Sequence, residues 1–201
     1  PKYKEKNSEC ICIFTNQNTR IKNGYIHFPK SCNLQPIKTR ILQYQQIRII
    51  PKGNYYICEI IYNYQSIDLK LNQNHVIGID LGLNNLITAV NNIGLSPFII
   101  KGGIVKSMNQ FYNKTNAFLQ SNKDKQKYEF QTKKQQHILK KRNNQIRDCF
   151  HKVSSKVIDY CIQNDIGTIV IGYNEGWKQE INIGKRNNQN FVQIPFAKLI
   201  Q

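Results

Sequence analysis

Acidic residues are scarce in this 201-residue chain: 12 Asp and Glu stand against 29 Lys and Arg, a formal net charge of +17. A surplus that large implies a polyanionic partner, either nucleic acid or an anionic membrane surface. Long apolar runs are missing too. None approaches the roughly 20 residues that cross a bilayer, and no lipidation motif is present, which argues against membrane anchoring. Lys, Asn, Ile, Tyr and Gln are abundant, as AT-rich coding would make them without selection. The same bias admits Asp and Glu, however, so the charge asymmetry remains a sign of binding while the Asn and Gln content does not.

Paired metal-type cysteines are also lacking. The six cysteines (Cys10, Cys12, Cys32, Cys58, Cys149, Cys161) contain no C-x-x-C, and Cys10-Ile11-Cys12 is too close for a usual zinc half-site. Cys58 and Cys161 sit among apolar neighbours and are expected to act as small hydrophobes. No signal peptide is visible, so a reducing cytoplasm is the expected location. The chain starts at Pro1, its only methionine is Met108, and Ile194 to Gln201 reads as a helix just begun with Pro195 near its first turn. Both ends read as cut, and a fragment of a longer protein is expected.

At 40% hydrophobic residues the chain can bury a core. Two patterns divide it, 1–72 and 73–201. In the first, Cys10 to Phe14, Gly24 to Phe28, Arg40 to Ile50 and Tyr55 to Tyr62 read as strands, with a hairpin turn at Pro51-Lys52-Gly53-Asn54. A small all-β barrel or sandwich without a catalytic constellation is expected there, with Tyr55, Tyr56, Tyr62 and Tyr64 packing it. In the second, Val76 to Gly82 reads as a buried strand, Asn84 to Val90 as another and Pro97 to Ile100 as a third, joined by short turns as in a meander. Helices follow over about 104–119 and 136–163. Gly167 to Gly172 is a fourth strand, expected buried from its continuous apolar character, and 173–190 is polar and loop-like. That order is the order of an RNase H-like α/β core.

The charge is concentrated. Residues 101–156 hold 14 Lys or Arg against three acids, a surplus of +11. On the longer helix Leu139, Ile146, Phe150, Val153, Val157 and Cys161 form one apolar stripe. At about 100° per residue, Lys141, Lys152 and Lys156 fall within roughly 60° of one another beside it, with Lys140 and Arg147 together on another flank. A solvated face would look similar, but a ridge tracking backbone phosphates is the sharper reading.

Asp80 is the candidate for chemistry. An acid inside Val76-Ile77-Gly78-Ile79-Asp80-Leu81-Gly82 is expected in the sheet interior, where an unpaired carboxylate is expensive. Mg²⁺ is the natural compensation, since it takes carboxylate oxygens and keeps waters for substrate phosphates. A structural Asp capping the turn is the plain alternative. Gly82 allows a phosphate or another backbone to approach closely. Actin-like sugar kinases and chaperone ATPases carry a similar Asp-x-Gly, usually followed by Thr or Ser. Here Leu83-Asn84-Asn85-Leu86 follows, and no second glycine-rich phosphate loop exists, which argues against an ATPase.

The run from Val76 through Leu83-Asn84-Asn85-Leu86 to Val90 resembles the first RuvC segment of TnpB proteins, the insertion-sequence-encoded RNA-guided nucleases related to type V CRISPR effectors. Lys101-Gly102-Gly103 with Lys106 to Lys114 resembles the opening of that family's helical insertion. Lys141-Arg142-Asn143-Asn144 with Asp148 to Lys152 resembles its long basic helix. Gly167 to Asn174, Gly176 to Gln179, and Asn187 to Phe191 through Ile194-Pro195 resemble a TnpB subgroup. The preceding β region is similar, more loosely, to the family's wedge domain.

The resemblance implies a transposon-encoded nuclease whose RNA pairs with target DNA while a Mg²⁺-dependent RuvC site hydrolyses the phosphodiester, working on the nucleoid of a prokaryotic cell. Asp80 would be its first catalytic carboxylate and a metal ligand. Two metals would clamp the attacking water and the leaving oxygen, so further acids are required. Family members commonly carry Glu where this chain has Gly172. Glu175 and Glu180, just beyond, are candidate catalytic replacements or surface charges, and the replacement could instead lie outside this chain. The third acid and the Zn²⁺ ribbon would lie past Gln201. One carboxylate cannot hold two metals, so cutting by this chain alone is not expected. A non-catalytic nucleic-acid-binding relic is the alternative. Trp177 stacks on a base or packs on the core, in a basic stretch with Lys178, Lys185 and Arg186 that is a further candidate contact with nucleic acid. His151 reads as a polar helix residue.

Overall fold

Alternation of apolar and polar side chains decides how the strands of this chain lie. The structure, a computed structural model, describes residues 8–53, 55–173, 184, 188 and 192–200. The chain divides into two units, Pro1–Asp68 and Leu69–Gln201.

In the first unit β1 (Cys12–Thr15), β5 (Gln46–Pro51) and β6 (Tyr56–Ile61) form one antiparallel sheet, and β2 (Arg20–Lys22), β3 (Tyr25–His27) and β4 (Ile37–Lys38) another. The expected hairpin closes with the Lys52 N–H donating to the Tyr55 carbonyl at 2.8 Å, and Gly53 takes the left-handed φ of 70° that the turn needs. Phe14, Ile26 and Ile47 are its buried apolar side chains, with Phe28 edge-on to Phe14 at 5.2 Å. The strand expected from Arg40 begins only at Gln46. Tyr56, Tyr62 and Tyr64 do not pack this core; all three are exposed. Tyr56 sits at the hairpin end of β6, past the buried cluster, and Tyr62 and Tyr64 follow the strand's last residue.

The second unit holds a four-stranded sheet of order β10-β7-β8-β9. β7 (Asn72–Leu81), β8 (Asn85–Asn91) and β9 (Phe98–Lys101) are the antiparallel meander, and β10 (Ile166–Ile171) returns parallel to β7. Between β9 and β10 run α1 (Gly103–Lys125) and α2 (Lys133–Gln163), and α3 (Ala197–Ile200) comes last. α2 starts where Thr132 and Gln135 make a reciprocal capping box: Gln135 N–H to Thr132 Oγ1 at 3.2 Å, Thr132 N–H to Gln135 Oε1 at 3.0 Å.

One face of the sheet carries Ile77, Ile79, Leu81, Ile87 and Ala89. The α2 stripe of Ile146, Phe150, Val153, Val157 and Cys161 packs on it, and Ile194 and Phe196 close the cluster. The other face carries Gly78, Asp80, Thr88, Val90, Ile99 and Val170, and no described element of this unit covers it: Val90 is 52%, Ile99 55% and Val170 55% exposed. The fourth strand is therefore not buried on both faces as its apolar run suggested. Among the described residues it is an edge strand with one face on the core.

Burying a ring such as that of Phe150 contributes about 1.5–3 kcal/mol from area alone, and truncating it adds a cavity. Phe150→Ala should lower the unfolding free energy by about 3–5 kcal/mol, measured as a shift of the urea midpoint at constant slope. An equal loss from Ile158→Ala, on the exposed side of α2, would contradict this assignment of the core face.

Candidate metal site and nucleic-acid interface

Asp80 lies on the open face of the sheet, not in its interior. Its neighbours along β7, Ile79 and Leu81, point into the core, so period-two geometry turns the carboxylate outward, where it is exposed. The desolvation argument for a metal therefore fails. No hydrogen bond or ion pair reaches the carboxylate among the described residues. Gly82 is explained by backbone: a Cβ there would stand 2.8 Å from the carbonyl oxygen of Asn85, across the β7–β8 turn.

The end of β10 comes alongside Asp80. The Gly172 N–H donates to the Ile79 carbonyl at 2.9 Å, extending the parallel ladder. A Cβ at Gly172 would sit 4.0 Å from Asp80 Oδ1 and 3.7 Å from the Ile79 carbonyl oxygen, ordinary contact distances. Position 172 is thus the place from which a second side chain would meet this carboxylate, and glycine supplies none. No group of three His, Cys, Asp or Glu that could hold a metal occurs among the described residues. One exposed carboxylate is the type of oxygen ligand that Mg²⁺ takes, the rest of such a shell coming from water and substrate phosphate. It does not fit a two-metal clamp. Glu175, Glu180, Trp177, Lys178, Lys185 and Arg186 lie outside the described residues.

The basic ridge is elsewhere. α2 packs on the face opposite Asp80, so Lys141, Lys152 and Lys156 do not converge on that carboxylate. Lys152 and Lys156 join Lys101 and His151 around a groove of about 610 Å³ floored by Leu86, Ile100, Ile104 and Met108. Lys152 is already engaged: its Nζ donates to Asp148 Oδ2 at 2.7 Å, and this bond pushes the lysine pKa up. Both partners are exposed, so the pair adds little to stability, and a phosphate would have to replace Asp148. Lys140 and Lys141 line a second, shallower hollow with His137, Asn144 and Gln145. Arg147 is exposed on the same helix. Burial pushes the thiols of Cys58, Cys149 and Cys161 up, which keeps them protonated and unreactive.

Arg142 is the residue that composition hides among its basic neighbours. Its Nε donates to Asn109 Oδ1 on α1 at 2.8 Å, Nη2 to the Gln193 carbonyl at 2.7 Å and Nη1 to Asn143 Oδ1 at 2.9 Å. The guanidinium also stands 5.8 Å over the Tyr112 ring. Burial lowers its pKa, while Tyr112 opposes that shift. It is a clamp between helices, not a phosphate ligand.

Residues 59–178, more than half of the chain, match the profile of the OrfB_IS605 family, described as probable transposase. The chain belongs to that family. The resemblance drawn from the segments after His75 is thereby borne out. No curated protein matches the chain. Among solved structures, a Cas12f1 protein in complex with single-guide RNA and target DNA shares the fold, with a TM-score of 0.56 at 14% identity over 79% of this chain and 32% of that one. A CRISPR-Cas12f ternary complex aligns with a TM-score of 0.45 at 18% identity over 79% of this chain and 34% of the other. The family member described here spans about a third of the length of those two proteins.

Two expectations follow for the carboxylate. Asp80→Asn should leave the melting temperature nearly unchanged, because the side chain is exposed and has no bonding partner among the described residues. Gly172→Glu should tighten Mg²⁺ binding in titration calorimetry, and Asp80→Asn in that background should abolish the gain. A Gly172→Glu chain with unaltered Mg²⁺ affinity would show that the two positions do not share an ion.

Proposed function

We propose that this chain carries the RNase H-like (RuvC) core, preceded by a small β region of the wedge type, of a TnpB-like RNA-guided DNA endonuclease. The observation that supports the reading most is the order of the sheet. An antiparallel meander is followed by a fourth strand parallel to the first, and the ends of those two parallel strands place position 172 beside Asp80. Guide RNA and target DNA are the partners that fit. The Cas12f1 relative in fold was solved with both, and a +11 segment supplies the matching charge. Mg²⁺ at Asp80 would polarise a phosphate oxygen and acidify a bound water. The chain's own part is to hold that ion by one carboxylate and to fix the nucleic-acid backbone on α2. Glu175 and Glu180 are the candidates for a further acid.

Phosphate recognition by exposed lysines on α2 predicts a steep salt dependence. The logarithm of the binding constant for an RNA–DNA hybrid should fall linearly with the logarithm of salt concentration. Lys141→Gln and Lys156→Gln should each reduce that slope by about 0.9, the contribution of one neutralised phosphate contact. Binding that ignores salt would exclude the phosphate ridge.

Gly172 favours a second reading, a non-catalytic member that binds without cutting. Mg²⁺-dependent nicking of a target, lost in Asp80→Ala, decides between them: its presence excludes the binding-only reading, and its absence in the full chain supports it.

A further inference from the structure

The α1 helix presents an apolar face that the phosphate ridge does not use. Ile104, Phe111 and Phe118 are 63%, 67% and 65% exposed. They are seven residues apart, so at 100° per residue they form one stripe along the helix, with rungs about 10.5 Å apart. The opposite side of α1 is occupied: Asn109 meets Arg142, and Asn116 and Gln120 meet Gln135 on α2. The stripe is therefore the outer face of the helical pair. Exposed aromatic residues continue past the end of α1 with Tyr128 and Phe130, whose rings lie edge-on at 6.2 Å.

Charge selects the occupant. Lys114 and Lys125 flank the stripe within about 60° of it, and the only acid on α1 is Asp124, which accepts from Gln120 Nε2 at 2.7 Å. A second copy of this chain would set those lysines against their own counterparts. A strand of unpaired nucleotides offers the complement: phosphates for the lysines and base faces for the rings. The spacing also suits it, since about 10.5 Å is the rise of roughly three stacked nucleotides at about 3.4 Å each. Ile104 both begins the stripe and floors the groove rimmed by Lys101, Lys152 and Lys156, so a strand leaving the groove continues onto α1.

We infer that the outer face of α1 is a stacking platform for unpaired nucleic acid, with Phe111 and Phe118 as its rings and Lys114 and Lys125 holding the backbone. The inference rests on the nucleic-acid-binding reading above and adds to it a separate surface with a preference for single strands.

The test uses the full chain with fluorescent oligothymidine and a duplex of equal phosphate number, and an oligonucleotide carrying 2-aminopurine to report stacking. Phe111→Ala and Phe118→Ala should each weaken single-strand binding about tenfold, relieve the 2-aminopurine quenching, and leave duplex affinity and the melting temperature unchanged. Phe118→Trp should retain binding. Lys156→Gln should weaken both ligands. If the alanine variants bind single strands as tightly as the wild type while salt-dependent duplex binding persists, the platform is wrong and the phosphate ridge stands. If the wild type binds neither ligand, both readings fall. If it sediments as a dimer that Phe111→Ala dissociates, the face serves self-association and the platform is overturned.

Discussion

The half-buried guanidinium of Arg142 ties together three parts of the second unit: α1, α2 and the segment that reaches Gln193. What it joins is mostly amide. Asn113 and Gln193 exchange two bonds of 2.9 Å, and Gln135 reaches Asn116 and Gln120 at 3.3 and 3.1 Å. Such a contact is directional where the α2–sheet contact is not. It fixes the rotation of α1 about its axis, and that rotation decides which residues face outward. A polar network of this kind specifies an arrangement when every member is bonded and is costly when one is not. Asn109 Nδ2, beside the guanidinium, is buried without a partner among the described residues. Hydrogen bonds set the register of the helix pair, while Val105 and Met108 tie α1 to the same apolar cluster that joins α2 to the sheet.

Electrostatics acts against this arrangement in the free chain. Most of the charge surplus lies on the two helices that Arg142 joins, where like charges repel. A polyanion lying along them relieves that repulsion, so binding and helix-pair stability are linked: a ligand that prefers the assembled pair stabilises it by mass action. The Lys152–Asp148 pair tempers the repulsion locally in the unliganded state.

The strands of the meander and both long helices were legible in the sequence because each leaves a periodic mark, whereas the pairing of β10 alongside β7 leaves none. The α2 stripe from Ile146 to Cys161 is buried where its spacing says it should be. Three features were not legible. The exposure of Asp80 was missed because V-I-G-I-D-L-G looks uniformly apolar, although alternation with Ile79 and Leu81 assigns the acid to the other face. The half-open state of β10 was missed because an apolar run cannot say whether one face or two are covered. Arg142 was read as one charge among many, since nothing local reveals that its partners come from Asn109 and Gln193, distant in sequence. The start of α2, by contrast, was written in Thr132 and Gln135 and placed three residues late only because the apolar period alone was followed.

The glycine at position 172 has a genetic consequence. A single base change turns any glycine codon into an acidic one, aspartate or glutamate, and here the backbone at position 172 has no left-handed φ that would strain a side chain and is already bonded to Ile79. A lineage carrying this glycine is one point mutation away from a second acid beside Asp80, with no rearrangement of the sheet in between. Gain of that carboxylate is therefore a short step for the backbone as well as for the codon.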